Sequence, residues 1–143
     1  MGDLAEQLIA SQEGRKPCVY RDTRGILTIA IGCVVDPAVQ GAGLCDAAID
    51  AQFAHDSAWA RNVAAEFPNF EQLNEVRQAV LVSMAFQLGS KPLFWPNFMA
   101  ALQKADYVAA AAAGLDSDWA AQTPARAKLE MMMLSSGAWQ IST

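Results

Sequence analysis

Glu13-Gly14-Arg15-Lys16-Pro17-Cys18-Val19-Tyr20-Arg21-Asp22-Thr23-Arg24-Gly25-Ile26-Leu27-Thr28-Ile29-Ala30-Ile31-Gly32 is the stretch on which the fold turns. Cys18–Arg21 and Ile26–Gly32 are rich in β-branched and aromatic side chains. The four residues between them open on Asp22 and close on Gly25, a β-hairpin pattern. Side chains alternate along a strand, so Leu27, Ile29 and Ile31 share one face and Thr28, Ala30 and Gly32 the other. The Thr28 face is small and polar and can approach a ligand closely. Cys33–Gly43, with Asp36-Pro37, Gly41 and Gly43, reads as loop.

On the N-terminal side, Leu4, Leu8 and Ile9 recur at helical spacing from Asp3 to about Gln12, with Asp3 as a candidate N-cap. Gly14 is the stop, a glycine able to take a left-handed conformation just past the helix. Glu13 then occupies the last helical residue. The helix C-terminus already carries partial negative charge and disfavours a carboxylate there. A residue placed against local preference points to function.

Toward the C-terminus every pattern is helical. One helix runs from about Asp46 to Glu66, ending before Pro68. Asn74 caps a second, through Val76, Val80, Leu81 and Met84 to Leu88, which Gly89 stops. Pro96 opens a third to about Gln103. Asp106 caps an alanine-rich fourth that Gly114 closes, and a short turn surrounds Trp119. Thr123-Pro124 gives a cap and a first-position proline for a last helix to Leu134, with Gly137 after it, and Met131, Met132 and Met133 read as core filler. One helix, a small antiparallel sheet, a connecting helix and a helical bundle make the expected class α+β and predominantly helical.

Composition narrows the function. The 143 residues suffice for one domain or two small lobes sharing a helix. No apolar run approaches the roughly eighteen residues of a membrane span. The start, Met1-Gly2-Asp3-Leu4-Ala5-Glu6, lacks the basic flank and apolar stretch of a secretory signal, which predicts folding in a cytosol without a membrane anchor. The formal net charge is −5. Nucleic acid is an unexpected partner, because phosphate binding wants clustered Lys and Arg. Arg15, Lys16, Arg21 and Arg24 form one local basic cluster around Asp22. Cys18, Cys33 and Cys45 are an odd set without C-x-x-C spacing, which argues against a disulfide framework. With His55 they make a zinc site conceivable, but their spacings match no short ligand pair. No metal and no cofactor are expected.

Hydrolysing a glycosidic bond needs two carboxyl groups flanking it, one to protonate the leaving oxygen and one to activate water or attack the sugar. Glu13 at a helix end and Asp22 in a hairpin nine positions later are candidates, although acids at such spacing are more often plain surface charges. The wider string decides. Glu13-Gly14, Tyr20, Asp22, Gly25, Thr28-Ile29 and Gly32, at these spacings, closely resemble the signature of phage-type lysozymes, glycoside hydrolase family 24. Phe86-Gln87-Leu88-Gly89 is similar to the end of that family's central bundle helix. Gln122-Thr123-Pro124 with Arg126-Ala127-Lys128 is similar to the start of its last long helix, and Trp119 falls where the family has a tryptophan. The resemblance extends from about residue 3 to 140.

That resemblance implies a single lysozyme-like domain over 1–143. About 13–60 would form the sheet lobe and connecting helix, and about 1–12 with 61–143 the helical lobe. It implies cleavage of the β-1,4 bond between N-acetylmuramic acid and N-acetylglucosamine in peptidoglycan, with inversion. Glu13 would be the general acid, Asp22 would support the attacking water and Thr28 would hold it. Phe86, Gln87 and Val34 would line the saccharide cleft, and Arg126 would contact Glu13. For Phe86 and Gln87, bundle packing and an internal hydrogen bond are the competing role. A phage lysozyme of this kind would act as a monomeric endolysin, folded in the host cytoplasm and released by a holin-type partner to the periplasm and wall. A weak or inactive wall-binding or virion-associated module on the same fold is the alternative.

Departures from the family pattern are specific. Ala30 replaces a frequent glycine, and Phe98 and Ala113 replace polar saccharide contacts. Cys33 stands where a histidine commonly pairs with the acid matching Asp56. His55 is not expected to substitute, since adjacent helix residues point apart.

Overall fold

The computed structural model describes residues 3–14, 16–21, 24, 27–30, 33–34 and 46–142, the strands by their backbone. The chain is predominantly helical. Its described helices are α1 (Leu4–Glu13), α2 (Asp46–Ala64), α3 (Glu75–Leu88), α4 (Pro96–Gln103), α5 (Tyr107–Leu115), α6 (Asp118–Gln122) and α7 (Pro124–Ser136). Among the described residues between α1 and α2 are three short strands, β1 (Lys16–Arg21), β2 (Leu27–Ala30) and β3 (Cys33–Val34), in antiparallel order β1-β2-β3. Thr28 stands opposite Tyr20 on one side and Val34 on the other. Cys33–Val34, expected in a loop, thus forms the third strand, because Ile29 and Thr28 offer it a pairing edge.

Local chemistry explains the helix ends. Asp3 Oδ1 accepts the Glu6 amide at 3.1 Å, and Asn74 Oδ1 accepts the Arg77 amide at 2.9 Å. Both satisfy a backbone donor that the first turn leaves open. Asp106 caps α5 in the same way through the Ala109 amide. Gly14, Gly89 and Gly137 terminate their helices with φ of 73°, 64° and 68°. That left-handed region is costly for a residue with a Cβ.

Several details differ from the sequence expectation. α2 ends at Ala64, not Glu66, because the Glu66 amide turns to the Val63 carbonyl in a tighter bend before Pro68. α5 runs one residue past Gly114, and that glycine is an interior position packed on Met131 of α7. Thr123 does not cap α7 with its side chain; its hydroxyl donates to the Trp119 carbonyl at 3.1 Å instead. Met131 and Met133 are core residues, but Met132 points outward and is 46% exposed.

Helix α3 is the axis of the core. Seven consecutive residues, Ala79–Ala85, are buried, so the helix is enclosed on all sides, with α1, α2 and α7 packed around it. Leu8, Ile9, Ile49, Leu81, Met84, Phe98, Leu102, Met131 and Leu134 are among the side chains fully withdrawn from water. Each such burial contributes about 1.5–3 kcal/mol of transfer free energy. α5 and α7 pack closely because α5 buries only Ala110, Ala111 and Gly114. Among the described residues no helix is long and apolar enough to cross a membrane.

Candidate active site

Glu13 ends α1 where the chain leaves the bundle for β1, and its side chain is 19% exposed. The Gly14 amide donates to the Ala10 carbonyl at 3.0 Å and closes the helix directly behind the carboxylate. Arg126 comes from the first turn of the far helix α7, and its Nη1 donates to Glu13 Oε1. The guanidinium is 8% exposed, and every nitrogen is engaged. Its Nε donates to Glu130 Oε1 at 3.2 Å, and its Nη2 to Ser83 Oγ at 3.0 Å and the Ser83 carbonyl at 3.4 Å. Ser83 Oγ in turn donates to Glu130 Oε1.

The charges of this cluster are set by burial and by each other. Burial works against the Arg126 cation, but the carboxylates of Glu130 and Glu13 outweigh it and raise its value further. Burial pushes the Glu130 carboxyl above its ordinary range, although the Arg126 charge and the Ser83 hydroxyl oppose that. Sequence reading found Arg126 and missed Ser83 and Glu130. The signal was present: Glu130 is a lone acid between Leu129 and Met131, four residues from Arg126 on one helix face.

Around this cluster lie the residues expected to meet substrate. Phe86 is half-buried and packs edge-on against Phe53 of α2, with ring centroids 6.0 Å apart at 87°. Gln87 accepts a 2.7 Å hydrogen bond from Trp119 Nε1, and its Nε2 sits 3.5 Å from Thr123 Oγ1. Its amide is therefore held by α6 and the start of α7. Beyond Trp119 opens a groove of about 470 Å³, with Leu88, Trp95, Phe98, Ala113, Trp119 and Gln122 among its walls. Phe98 and Ala113, the two positions that lack the family's polar contacts, come together there.

Thr28 and Val34 are paired across adjacent strands, Thr28 being the central residue of the two registers. Asp22 lies outside the described residues, as do Arg15, Gly25, Gly32 and Cys45. Asp56 is satisfied in the absence of the family's histidine: Gln52 Nε2 donates to its Oδ1 at 2.9 Å, and His55 Nδ1 lies 3.1 Å from the same oxygen. The expectation that His55 points away from its neighbour is corrected, since its ring folds back along the helix surface. Among the described residues no three His, Cys, Asp or Glu side chains converge as a metal set.

The sequence profile of the family described as Phage lysozyme matches residues 10–130. The chain belongs to the phage lysozyme family. The match starts three residues before Glu13 and ends on Glu130, so it takes in both carboxylates held by Arg126. A phage lysozyme is a glycoside hydrolase, and membership implies peptidoglycan as substrate and the bacterial wall as the place of action. No curated protein matches the chain.

Proposed function

We propose that this phage lysozyme cleaves the β-1,4 bond between N-acetylmuramic acid and N-acetylglucosamine by an inverting acid/base reaction. Glu13 protonates the leaving glycosidic oxygen. Asp22 takes the proton of a water on the opposite face of the sugar, and Thr28 holds that water. Inversion requires room for the water, so the two carboxyls are expected about 6.5–9.5 Å apart. The observation that carries this reading is the hold of Arg126 on Glu13. A partly exposed carboxylate at a helix end is fixed in position by a buried guanidinium.

The chain folds as one lysozyme-like domain in which α2 joins a sheet lobe to the helical lobe. The cleft between them receives the glycan, with Phe86, Gln87 and Val34 along it and the groove at Trp119 extending it. In its setting the enzyme is a monomeric endolysin, folded in the host cytoplasm, released by a holin-type partner and active on the wall at lysis. The acidic balance of the chain and the apolar Phe98 and Ala113 in the groove favour one second reading, a wall-binding or virion-associated module with little activity.

Clearing of outer-membrane-permeabilised Gram-negative walls by the purified protein, beside Glu13→Gln, separates the two. Clearing that disappears in the variant supports the hydrolase with Glu13 as acid. A wild type that sediments with walls without clearing them sinks it in favour of the binding module.

A further inference from the structure

We propose that Glu130, together with Ser83, is a positioning residue for the acid: it fixes Arg126 at Nε, shares its charge, and so decides how firmly the guanidinium holds Glu13. The inference rests on the reading of Glu13 as the general acid.

The geometry is that of one cation divided between two carboxylates. Nε is given to Glu130, Nη2 to Ser83 and Nη1 to Glu13, so the guanidinium plane is fixed on two sides before it meets the acid. Such a fork cannot rotate without breaking hydrogen bonds in a dry interior, where each unmade bond is costly. Glu130 is fully withdrawn from water, yet Oε2 has no hydrogen-bond partner. A carboxylate kept only to anchor an arginine would be expected to use both oxygens. One bare oxygen in a buried acid is where a proton resides when the group is neutral.

Few other charges reach this point. From α7 itself Glu130 meets Arg126, from α1 it meets Glu13 through Arg126, and from α3 it meets the uncharged Ser83. Arg77 of α3 turns instead to the end of α7, donating to the Leu134 and Ser135 carbonyls at 2.8 and 3.0 Å. α5 and α6 bury only Ala110, Ala111, Gly114, Trp119 and Ala120. Asp22 lies outside the described residues.

Two states follow. With Glu130 ionised, the Arg126 charge is divided and Glu13 is held as a carboxylate less strongly. With Glu130 neutral, the whole charge acts on Glu13. Burial raises Glu130 above the ordinary carboxylate range, which brings the change between the two states toward working pH.

The test is the pH profile of glycan cutting by Glu130→Gln, which keeps the side-chain shape and removes the charge. Its alkaline limb is expected to move toward lower pH by on the order of one unit, with KM nearly unchanged, because Glu130 touches no sugar. Glu130→Leu, which also releases Nε, is expected to lower kcat by about ten- to a hundredfold. Ser83→Ala keeps the experiment decisive if the Glu130 variants fold poorly. It withdraws the hydroxyl that favours ionised Glu130 and shifts the limb the same way by less.

An activity-independent reading is the Arg126 Nε–H resonance followed by NMR across pH. It is expected to show in the wild type a titration step that Glu130→Gln lacks. Profiles of Glu130→Gln and Ser83→Ala that superimpose on the wild type overturn the proposal. So does an Nε–H resonance that does not titrate in the wild type. A wild type that cuts no glycan overturns the reading of Glu13 as acid, whereas the resonance reports separately on the sharing of Arg126.

Discussion

Trp119 Nε1 donates to Gln87 Oε1 at 2.7 Å, so a residue in the wall of the groove is held by the central helix of the bundle. The bond has a structural consequence that does not depend on any bound sugar. Trp119 is only 3% exposed, and Gln87→Leu strands its N–H away from water. An unmade buried donor costs about 1–3 kcal/mol. Urea denaturation of the variant is expected to show a midpoint lowered by that amount with an unchanged slope. An unchanged midpoint would mean that the tryptophan finds another acceptor.

Gly114 is tight for a different reason. A Cβ built there meets the Sδ of Met131 directly and its Cγ at 3.3 Å. Helix propensity alone favours alanine over glycine by about 1 kcal/mol. Met131 is fully buried and has nowhere to retreat, so overpacking of about 1–3 kcal/mol opposes that gain. Gly114→Ala is expected to be destabilising, and the loss should vanish in a Met131→Val background. A thermal midpoint that rises for Gly114→Ala alone would refute the close approach of α5 and α7.

Asp3 predicts a pH dependence. Its partial burial works against ionisation. The hydrogen bond from Arg61 Nη2, the Glu6 amide and the Arg61 charge outweigh that and hold the carboxyl below its ordinary value of 3.8. The folded state therefore favours the ionised form. The resulting stability is present above pH 3.8 and is lost as pH falls through the lower folded value. Asp3→Asn keeps the cap and removes the charge. Both partners are more than a third exposed, so the charge contributes only about 0.2–1 kcal/mol, less in salt. Melting temperatures of wild type and variant should differ at neutral pH and converge in acid. A gap that widens in acid would reverse the sign argued here.

The helices were legible in the sequence because their ends are local chemistry. Asp3, Asn74 and Asp106 each accept an amide three residues on, and Gly89 and Gly137 stop helices within one turn. Gly114 misled because the same residue type serves as a stop or as a space for a neighbour, and only Met131 decides which. In the candidate site, Glu13 was legible as a carboxylate at an unfavourable helix end. Arg126 as its partner was expected from the family resemblance, whereas Ser83 and Glu130 were not. Ser83, Glu130 and Arg126 stand on two helices, 43 and 47 positions apart across the bundle. Ser83 looks like a break in an apolar run until the arginine it faces is known.

The contact between Glu13 and Arg126 joins residues 113 positions apart, the one on the first helix and the other on the last. A ribosome therefore releases the acid long before the cation that holds it. At about 5–20 residues per second the interval is on the order of ten seconds. Until the last helix docks, Glu13 lacks its contact with Arg126, and a fragment ending short of Arg126 never acquires it. The carboxylate and the guanidinium that holds it thus come together only after the last described helix has been made.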